Sequence, residues 1–171
     1  FAIIGYGFMG EALAKRLKGF DVKVVAYDKY KTNFSSKYVE EVSMDFIYKN
    51  ADFVSLHTPL TPETKDLVNT SFINLFNKPF FLINTARGHS VKVVDLMEAL
   101  ENQKIIGACL DVLEFESTSF EKFSYADNPK FKSLVKFKNI LLTPHIAGWT
   151  VESKEKMAQV ILNKIHDKFI S

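Results

Sequence analysis

The chain has 171 residues, of which 47% are hydrophobic and 25% charged, and 22 basic against 20 acidic residues give it a net charge of +2. This length suits one domain, which would bury about 70% of the surface that its unfolded chain exposes. The charge balance gives no reason to expect binding to nucleic acid or to a membrane surface. We find no basic leader before an apolar stretch and no run of 18 apolar residues, so we predict neither secretion nor a membrane span.

Strand-like and helical patterns alternate along the chain. Apolar, β-rich runs predict six strands, at 2–5, 22–27, 52–57, 79–84, 105–112 and 139–144, with a weaker seventh at 39–42. Helical patterns lie at 9–18, 43–50, 70–77, 92–102, 129–137 and about 150–170, with Ser43 and Thr70 as N-caps. Several strands are apolar on both faces, which is typical of a sheet covered by helices on each side. The fold class predicted is α/β, a doubly wound parallel sheet of Rossmann type spanning residues 1–171.

Three further expectations concern particular segments. Cys109 is the single cysteine and lies in the apolar run IIGACLDV, so we expect a buried, unreactive thiol in a reducing, cytoplasmic setting. The last helix carries an apolar stripe that includes Met157, Ile161 and Ile165, which favours core packing. The aromatic-rich stretch 113–138 favours a satellite core or a subunit contact.

A glycine-rich turn follows the first strand. GYGFMG holds Gly5, Gly7 and Gly10 in the G-x-G-x-x-G arrangement, and the next strand ends in Asp28. In such a unit the first glycine allows a tight turn, the second lets the backbone approach a pyrophosphate, and the third permits close packing of the helix. A carboxylate at Asp28 would accept hydrogen bonds from a ribose diol and repel a 2′-phosphate. The sequence therefore predicts NAD as the cofactor in preference to NADP, and no metal.

Three later strands end in residues that carry chemistry. Arg87 follows the strand at 79–84, Asp111, Glu114 and Glu116 follow or end the next, and His145 follows the last. The carboxyl ends of parallel strands meet at one edge of the sheet, so these side chains are expected on one rim. Arginine offers a planar fork for a substrate carboxylate, and a carboxylate beside an imidazole orients the ring and holds its proton.

The motifs GYGFMG with Asp28, LHTPLTPETKDLVN, INTARGHSVKVVDLMEALENQKIIGACLDVLEFE and TPHIAGWT, in this order, resemble the nucleotide-binding domain of the D-isomer-specific 2-hydroxyacid dehydrogenases. The resemblance covers almost the whole chain. It implies hydride transfer between NAD(H) and a small 2-hydroxy or 2-oxo acid, and a homodimer formed mainly through this domain. It also implies a substrate domain that mostly precedes the nucleotide domain, so we expect that this part is missing here, that turnover by these residues alone is doubtful, and that the last helix packs toward the missing domain.

By the same resemblance Arg87 binds the substrate, His145 is the acid and base, and Glu116 is the partner of His145, with Glu114 as a rival. Asp111 would hold the nicotinamide carboxamide, and His57 would be structural. The remaining cofactor contacts that the resemblance and the glycine turn imply are Gly5, Gly7, Phe8, Met9, Gly10, Asp28, Thr58, Pro59, Leu60, Thr85 and Ala86, together with Arg87 and His145.

Two alternatives stay open from sequence. GFMG resembles the glycine turn of the β-hydroxyacid dehydrogenases, although we do not find their lysine-based site. An NAD(H)-sensing protein of the corepressor kind would keep the same fold and could keep the same residues. Which hydroxy acid is the substrate is also open, because selectivity would reside largely in the missing domain.

Overall fold

The computed structural model describes residues 1–115 and 127–169. Within these ranges seven strands form one parallel sheet with the order β3-β2-β1-β4-β5-β6-β7, which confirms the predicted fold class. The strands are β1 (Ala2–Ile4), β2 (Val25–Tyr27), β3 (Glu40–Glu41), β4 (Phe53–Leu56), β5 (Phe80–Asn84), β6 (Ile105–Leu110) and β7 (Ile140–Leu142). The helices are α1 (Phe8–Leu17), α2 (Met44–Asn50), α3 (Thr70–Asn74), α4 (Val93–Glu101), α5 (Pro129–Leu134) and α6 (Val151–Phe169), with 3₁₀ turns at Lys18–Phe20 and Gly88–Ser90.

Two apolar cores lie on opposite faces of the sheet. The larger core packs α2, α3, α4 and α5 against one face, with Ile47, Phe76, Leu96 and Leu134 almost fully buried. The smaller core lies under α1, where Ala14 packs with strand residues of β1 and β2. Because the sheet order reverses between β1 and β4, the chain leaves a crevice at the carboxyl ends of these two strands.

Within the described residues, the α1 face of the sheet is open over β6 and β7. Ile83, Cys109 and Leu141 form one row across β5, β6 and β7, and the Cys109 side chain is exposed while Leu141 is 61% exposed. The prediction of a buried Cys109 was therefore wrong. The prediction of a sheet with helices on both faces is confirmed, because α1 packs on one face and α2, α3, α4 and α5 pack on the other. An apolar run indicates a strand, but it does not say whether a helix lies over each side.

The helix ends agree with the sequence prediction to within three residues. Ser43 is confirmed as an N-cap, since its hydroxyl accepts a hydrogen bond from the Phe46 N–H. Thr70 was the wrong residue for the next helix, because the Asn69 side chain accepts from the Phe72 N–H and Thr70 is already helical. Asparagine caps at least as well as threonine, so adjacent candidates could not be separated by residue type.

Helix α6 presents its apolar stripe to solvent. Met157 is 59% exposed and Ile161 is 58% exposed, and the helix has no buried residue between Val151 and Phe169. The prediction of core packing for this stripe was wrong for the chain as described, because the helix extends from the edge strand β7 away from both cores. No helix of the described ranges is both long and apolar enough to cross a membrane.

Candidate functional site

Two cavities lie side by side at the carboxyl edge of the sheet. The first, named the apolar cavity, has a volume of about 400 Å³ and lies beyond β1, β2 and β4. The second, named the arginine cavity, has a volume of about 450 Å³ and lies beyond β1, β5, β6 and β7. Gly7, His57, Thr58 and Pro59 line both cavities, so the two adjoin along the β1 and β4 turns. Of two larger pockets, one shares Tyr27, Asp28 and Lys29 with the apolar cavity and the other lies apart, and neither contains the glycine turn or Arg87.

The three glycines of the first turn serve different needs. Gly5 has a φ of +93°, and a Cβ there would lie 2.8 Å from the His57 carbonyl carbon. A Cβ on Gly10 would lie 2.3 Å from the Gly5 oxygen, which fixes α1 tightly against the β1 turn. Gly7 has open space where its Cβ would be and lines both cavities. Gly5 and Gly10 are therefore required for packing, whereas Gly7 leaves its backbone accessible to a ligand.

The start of α1 faces the cavities. Phe8 and Met9 line the arginine cavity and are 94% and 68% exposed. The N-cap is Gly7, which has no side chain to satisfy the first N–H groups of the helix. Such a helix end attracts anionic groups, because its N–H groups and the helix dipole both point toward them.

Asp28 lies at the end of β2 and holds the neighbouring turns together. Its carboxylate accepts hydrogen bonds from the backbone N–H groups of Tyr6 (2.7 Å), Tyr30 (2.9 Å) and Lys31 (3.0 Å). Partial burial acts to raise the pKa of Asp28, but these hydrogen bonds and the Lys31 charge outweigh it and leave the pKa below its usual value. An ionised carboxylate thus stands at the wall of the apolar cavity.

The β4 turn supplies a polar group that the chain leaves unsatisfied. Within residues 1–115 and 127–169, the buried Thr58 Oγ1 has no hydrogen-bond partner, although it lies between the two cavities. Beside it, His57 Nε2 lies 2.9 Å from the Ser55 hydroxyl, and burial lowers the pKa of His57. A buried hydroxyl of this kind normally has a partner, and a bound ligand could provide one.

The β5 turn presents Arg87 through a compact set of hydrogen bonds. The fully buried Asn84 side chain accepts from the Ala86 N–H (3.1 Å) and donates to the Arg87 carbonyl (3.0 Å). Arg87 Nη1 donates to the Ala86 carbonyl (2.7 Å), which uses one of the five guanidinium donors. Thr85 and Ala86 line the arginine cavity with Arg87.

Gly88 lies where the turns after β5 and β6 approach each other. A Cβ at Gly88 would lie 2.0 Å from the Leu113 oxygen, so the backbone that follows β6 occupies that space. Gly88 therefore brings the turns after β5 and β6 into contact.

Asp111 anchors the segment that carries His145. The Asp111 carboxylate is nearly buried and accepts from Thr143 Oγ1 (2.6 Å), Ile146 N–H (2.9 Å) and Ala147 N–H (2.9 Å). These groups flank His145, whose φ is +54°. Sequence reasoning placed Asp111 at the cofactor and missed this structural role, although it still lines the arginine cavity together with His145.

The structure describes only Glu114 of the two candidate partners of His145. Glu114 accepts a hydrogen bond from the Val93 N–H (2.9 Å) and pairs with Lys130, so its carboxylate caps the start of α4. Glu116 lies outside the described residues, as does much of the aromatic stretch, although Phe115 and Phe131 of that stretch pack edge to face. The structure therefore engages Glu114 elsewhere, and the role of Glu116 stays a prediction.

The residues present fit a dinucleotide. The apolar cavity offers the Asp28 carboxylate for a ribose diol. The adjoining region offers Gly7 and the start of α1 for a pyrophosphate. The arginine cavity extends from that region to Arg87 and His145. The unsatisfied Thr58 hydroxyl lies along this path.

Asn84 was not singled out from sequence, although an asparagine that ends a buried strand just before a turn is a recognised signal for hydrogen bonding between its side chain and the backbone.

Comparison with known proteins agrees with this geometry. The family model described as D-isomer specific 2-hydroxyacid dehydrogenase, NAD binding domain, matches residues 1–147. A glyoxylate reductase of Thermofilum pendens is 38% identical over 161 residues, which is 92% of this chain and 44% of that protein. A D-lactate dehydrogenase of Streptococcus pyogenes is 37% identical over 167 residues, 95% of this chain and 50% of that protein.

Solved structures give the same result. The NAD complex of a D-isomer specific 2-hydroxyacid dehydrogenase from Lactobacillus delbrueckii ssp. bulgaricus superposes with a TM-score of 0.84 at 35% identity, covering 95% of this chain and 51% of that one. A D-lactate dehydrogenase with NAD⁺ from Lactobacillus jensenii also has a TM-score of 0.84 at 35% identity, covering 95% of this chain and 50% of that one. The chain spans about half the length of the relatives that it matches.

Proposed function

The chain belongs to the D-isomer-specific 2-hydroxyacid dehydrogenases, as their NAD-binding domain, and from this we propose that the protein transfers a hydride between NAD(H) and a small D-2-hydroxy acid or its 2-oxo acid. The observation that carries this proposal is the grouping of Arg87, Asp111 and His145 around one cavity that adjoins the glycine turn. The family membership also favours this chemistry over that of the β-hydroxyacid dehydrogenases.

The proposed roles follow from the chemistry of each side chain. Arg87 orients the acid, because a guanidinium can donate two parallel hydrogen bonds to a carboxylate and adjoining carbonyl. His145 donates a proton to the carbonyl oxygen in reduction and accepts it in oxidation, with Glu116 orienting its ring. When bound, the nicotinamide supplies or accepts the hydride.

Cofactor binding is proposed to use the rest of the edge. Asp28 would accept from the adenosine ribose, and Gly7, Phe8 and Met9 would meet the pyrophosphate at the start of α1. Gly5 and Gly10 would shape that turn from within. The β4 and β5 turns would line the nicotinamide half through Thr58, Pro59, Thr85 and Ala86. Asp111 would act there mainly by holding the His145 segment.

We also propose how this chain is arranged within the whole protein. Residues 1–171 would form one dinucleotide-binding domain, and the exposed apolar stripe of α6 would pack against a substrate-binding domain. The protein would be a cytoplasmic homodimer that associates through the nucleotide-binding domain. These statements rest on the family resemblance and on the exposed stripe.

The direct test has two stages. Titration of this chain with NADH, followed by fluorescence, should show saturable binding that Gly7→Ala weakens. A full-length version should then reduce one or more members of a panel of 2-oxo acids that includes glyoxylate and pyruvate. NADH binding without turnover of any oxo acid would instead favour an NAD(H)-sensing role, which the same fold could serve.

A further inference from the structure

Glu63 joins the β4 turn to the end of β2. The Tyr30 hydroxyl donates a hydrogen bond to Glu63 Oε2 (2.6 Å), and Lys29 Nζ lies 2.8 Å from the same oxygen. The Lys29 ammonium also lies 5.6 Å from the centre of the Tyr30 ring. One carboxylate oxygen therefore restrains two consecutive side chains that come directly after Asp28.

This bridge forms part of the wall of the apolar cavity. Lys29, Tyr30 and Glu63 all line that cavity, and Asp28 lines it with them. Asp28 is the carboxylate that we assign to the adenosine ribose, so the bridge stands where a phosphate on that ribose would arrive. An ammonium group at this position would favour such a phosphate if it were available.

We propose that Glu63 is a second determinant of cofactor selectivity, which excludes a 2′-phosphate by neutralising and restraining Lys29 beside Asp28. The inference rests on the proposed function only in that it takes the apolar cavity as the adenosine site. It deepens that function because it assigns the choice of NAD(H) over NADP(H) to two acidic side chains on separate turns.

The charge balance at the cavity supports this role. The contact with Glu63 raises the pKa of the Lys29 ammonium and the pKa of the Tyr30 phenol, and the contacts with Lys29 and Tyr30 lower the pKa of Glu63. Both members of the ion pair are about half exposed, so the pair contributes little to stability. Its placement matters more, because charges at the mouth of a cavity act on an incoming charged ligand.

Lys31 adds to the case, because its charge also acts on the Asp28 carboxylate and lowers the pKa of that group. Its ammonium lies 5.1 Å from the centre of the Tyr6 ring and donates to the Tyr6 carbonyl (3.4 Å). Release of Lys29 would therefore place two cations beside the site against the single charge of Asp28. With Glu63 present, the two acidic groups Asp28 and Glu63 balance the two basic groups Lys29 and Lys31.

The test is the ratio of the dissociation constants of NADPH and NADH for Glu63→Gln, measured by fluorescence titration. Glutamine keeps the shape and removes the charge. We expect the ratio to fall on the order of two- to five-fold, which is the size of effect that an exposed charge pair produces. Calorimetry with adenosine 5′-phosphate and adenosine 2′,5′-bisphosphate should show the same shift without the nicotinamide half.

Lys29 provides the internal check. Lys29→Met alone should not lower the ratio and should raise it somewhat, because it leaves the Glu63 carboxylate without its counter-charge. In the Glu63→Gln background, Lys29→Met should reverse most of the gain in NADPH affinity. Asp52→Asn is the matched control, since Asp52 forms a comparable exposed pair with Lys78 (2.6 Å) but precedes β4, at the opposite edge of the sheet.

Each outcome decides between the possibilities. An unchanged ratio in Glu63→Gln, or an equal change in Asp52→Asn, overturns the role of Glu63 while leaving NADH binding and the proposed function intact. A gain in NADPH affinity that Lys29→Met does not reverse overturns the part assigned to Lys29. Failure of the unmodified chain to bind either adenosine ligand overturns the adenosine site and, with it, this inference.

Discussion

Replacing Asp111 with asparagine should release the segment that carries His145. The Asp111 carboxylate accepts three hydrogen bonds from that segment, two of them from the backbone N–H groups of Ile146 and Ala147. Asparagine keeps one acceptor oxygen and turns an NH₂ group toward donors, so at least one N–H loses its partner. Hydrogen bonds to charged groups contribute about 1.5–3 kcal/mol each, and we expect a cost of about 2–3 kcal/mol.

The assay follows the two amides directly. A local cost of this size should raise the hydrogen-exchange rates of the Ile146 and Ala147 amides about 30- to 160-fold in NMR measurements. Thr143→Val removes only the hydroxyl donor and should have a smaller effect. In a full-length enzyme, Asp111→Asn should also lower kcat, because His145 would no longer be held in place.

Asp95→Asn is the matched control for this experiment. Asp95 is also nearly buried and accepts a hydrogen bond from a backbone N–H, that of Thr70, on the helical side of the sheet. The Asp95→Asn variant should leave the hydrogen-exchange rates of the Ile146 and Ala147 amides unchanged. If Asp111→Asn also leaves these two amides unchanged, the carboxylate does not hold the segment and our reasoning is refuted.

The remaining predictions concern the glycine turn, Arg87 and the buried His57. Gly7→Ala should fold normally and lose NADH affinity, whereas Gly10→Ala should lower the free energy of unfolding because its Cβ would meet the Gly5 oxygen. Urea unfolding and NADH titration together distinguish the two variants. Equal stability of the two variants would contradict the prediction. Arg87→Lys in the full-length enzyme should raise KM for the oxo acid and lower kcat with NADH affinity unchanged, and a collapse of NADH binding instead would assign Arg87 to the cofactor or the fold. Burial lowers the pKa of His57 below its ordinary value of 6.5, so the stabilisation from neutral His57 is present above about pH 6.5 and is lost as pH falls below it. The free energy of unfolding should then decrease by up to about 1.4 kcal/mol per pH unit on acidification, and a His57→Gln variant with the same slope would show that another group is responsible.

Much of the site was predictable because it follows from topology. In a parallel sheet all carboxyl ends lie at one edge, so locating strands before Gly5, Asp28, Arg87 and His145 was sufficient to predict that these residues meet. The contacts that depend on the path of a distant backbone were not predictable. Gly88 is small because Leu113 passes over it, and no local pattern around Gly88 indicates Leu113.

The row of Ile83, Cys109 and Leu141, in which Ile83 is half-buried and the other two are exposed, shows a second limit of sequence reasoning. Apolar residues at these positions predict burial, and the strand assignment that they support is correct. Whether a side chain on a strand is covered depends on which face each crossover helix takes. Here α3, α4 and α5 all pack on the same face, so alternate residues of β5, β6 and β7 meet different surroundings despite similar composition.

The backbone conformation of His145 depends on hydrogen bonds from a distant residue and bears on the proposed proton transfer. A φ of +54° is less favourable for a residue that has a Cβ than for glycine, and such a conformation costs about 1–2 kcal/mol. The flanking hydrogen bonds from Thr143, Ile146 and Ala147 to Asp111 offset that cost, so the strain and its support lie on different strands. Strain that is maintained in this way fixes the direction in which a side chain leaves the backbone. Asp111 therefore serves the proposed proton transfer by position, because it holds His145 at the arginine cavity in a conformation that the segment alone would not favour.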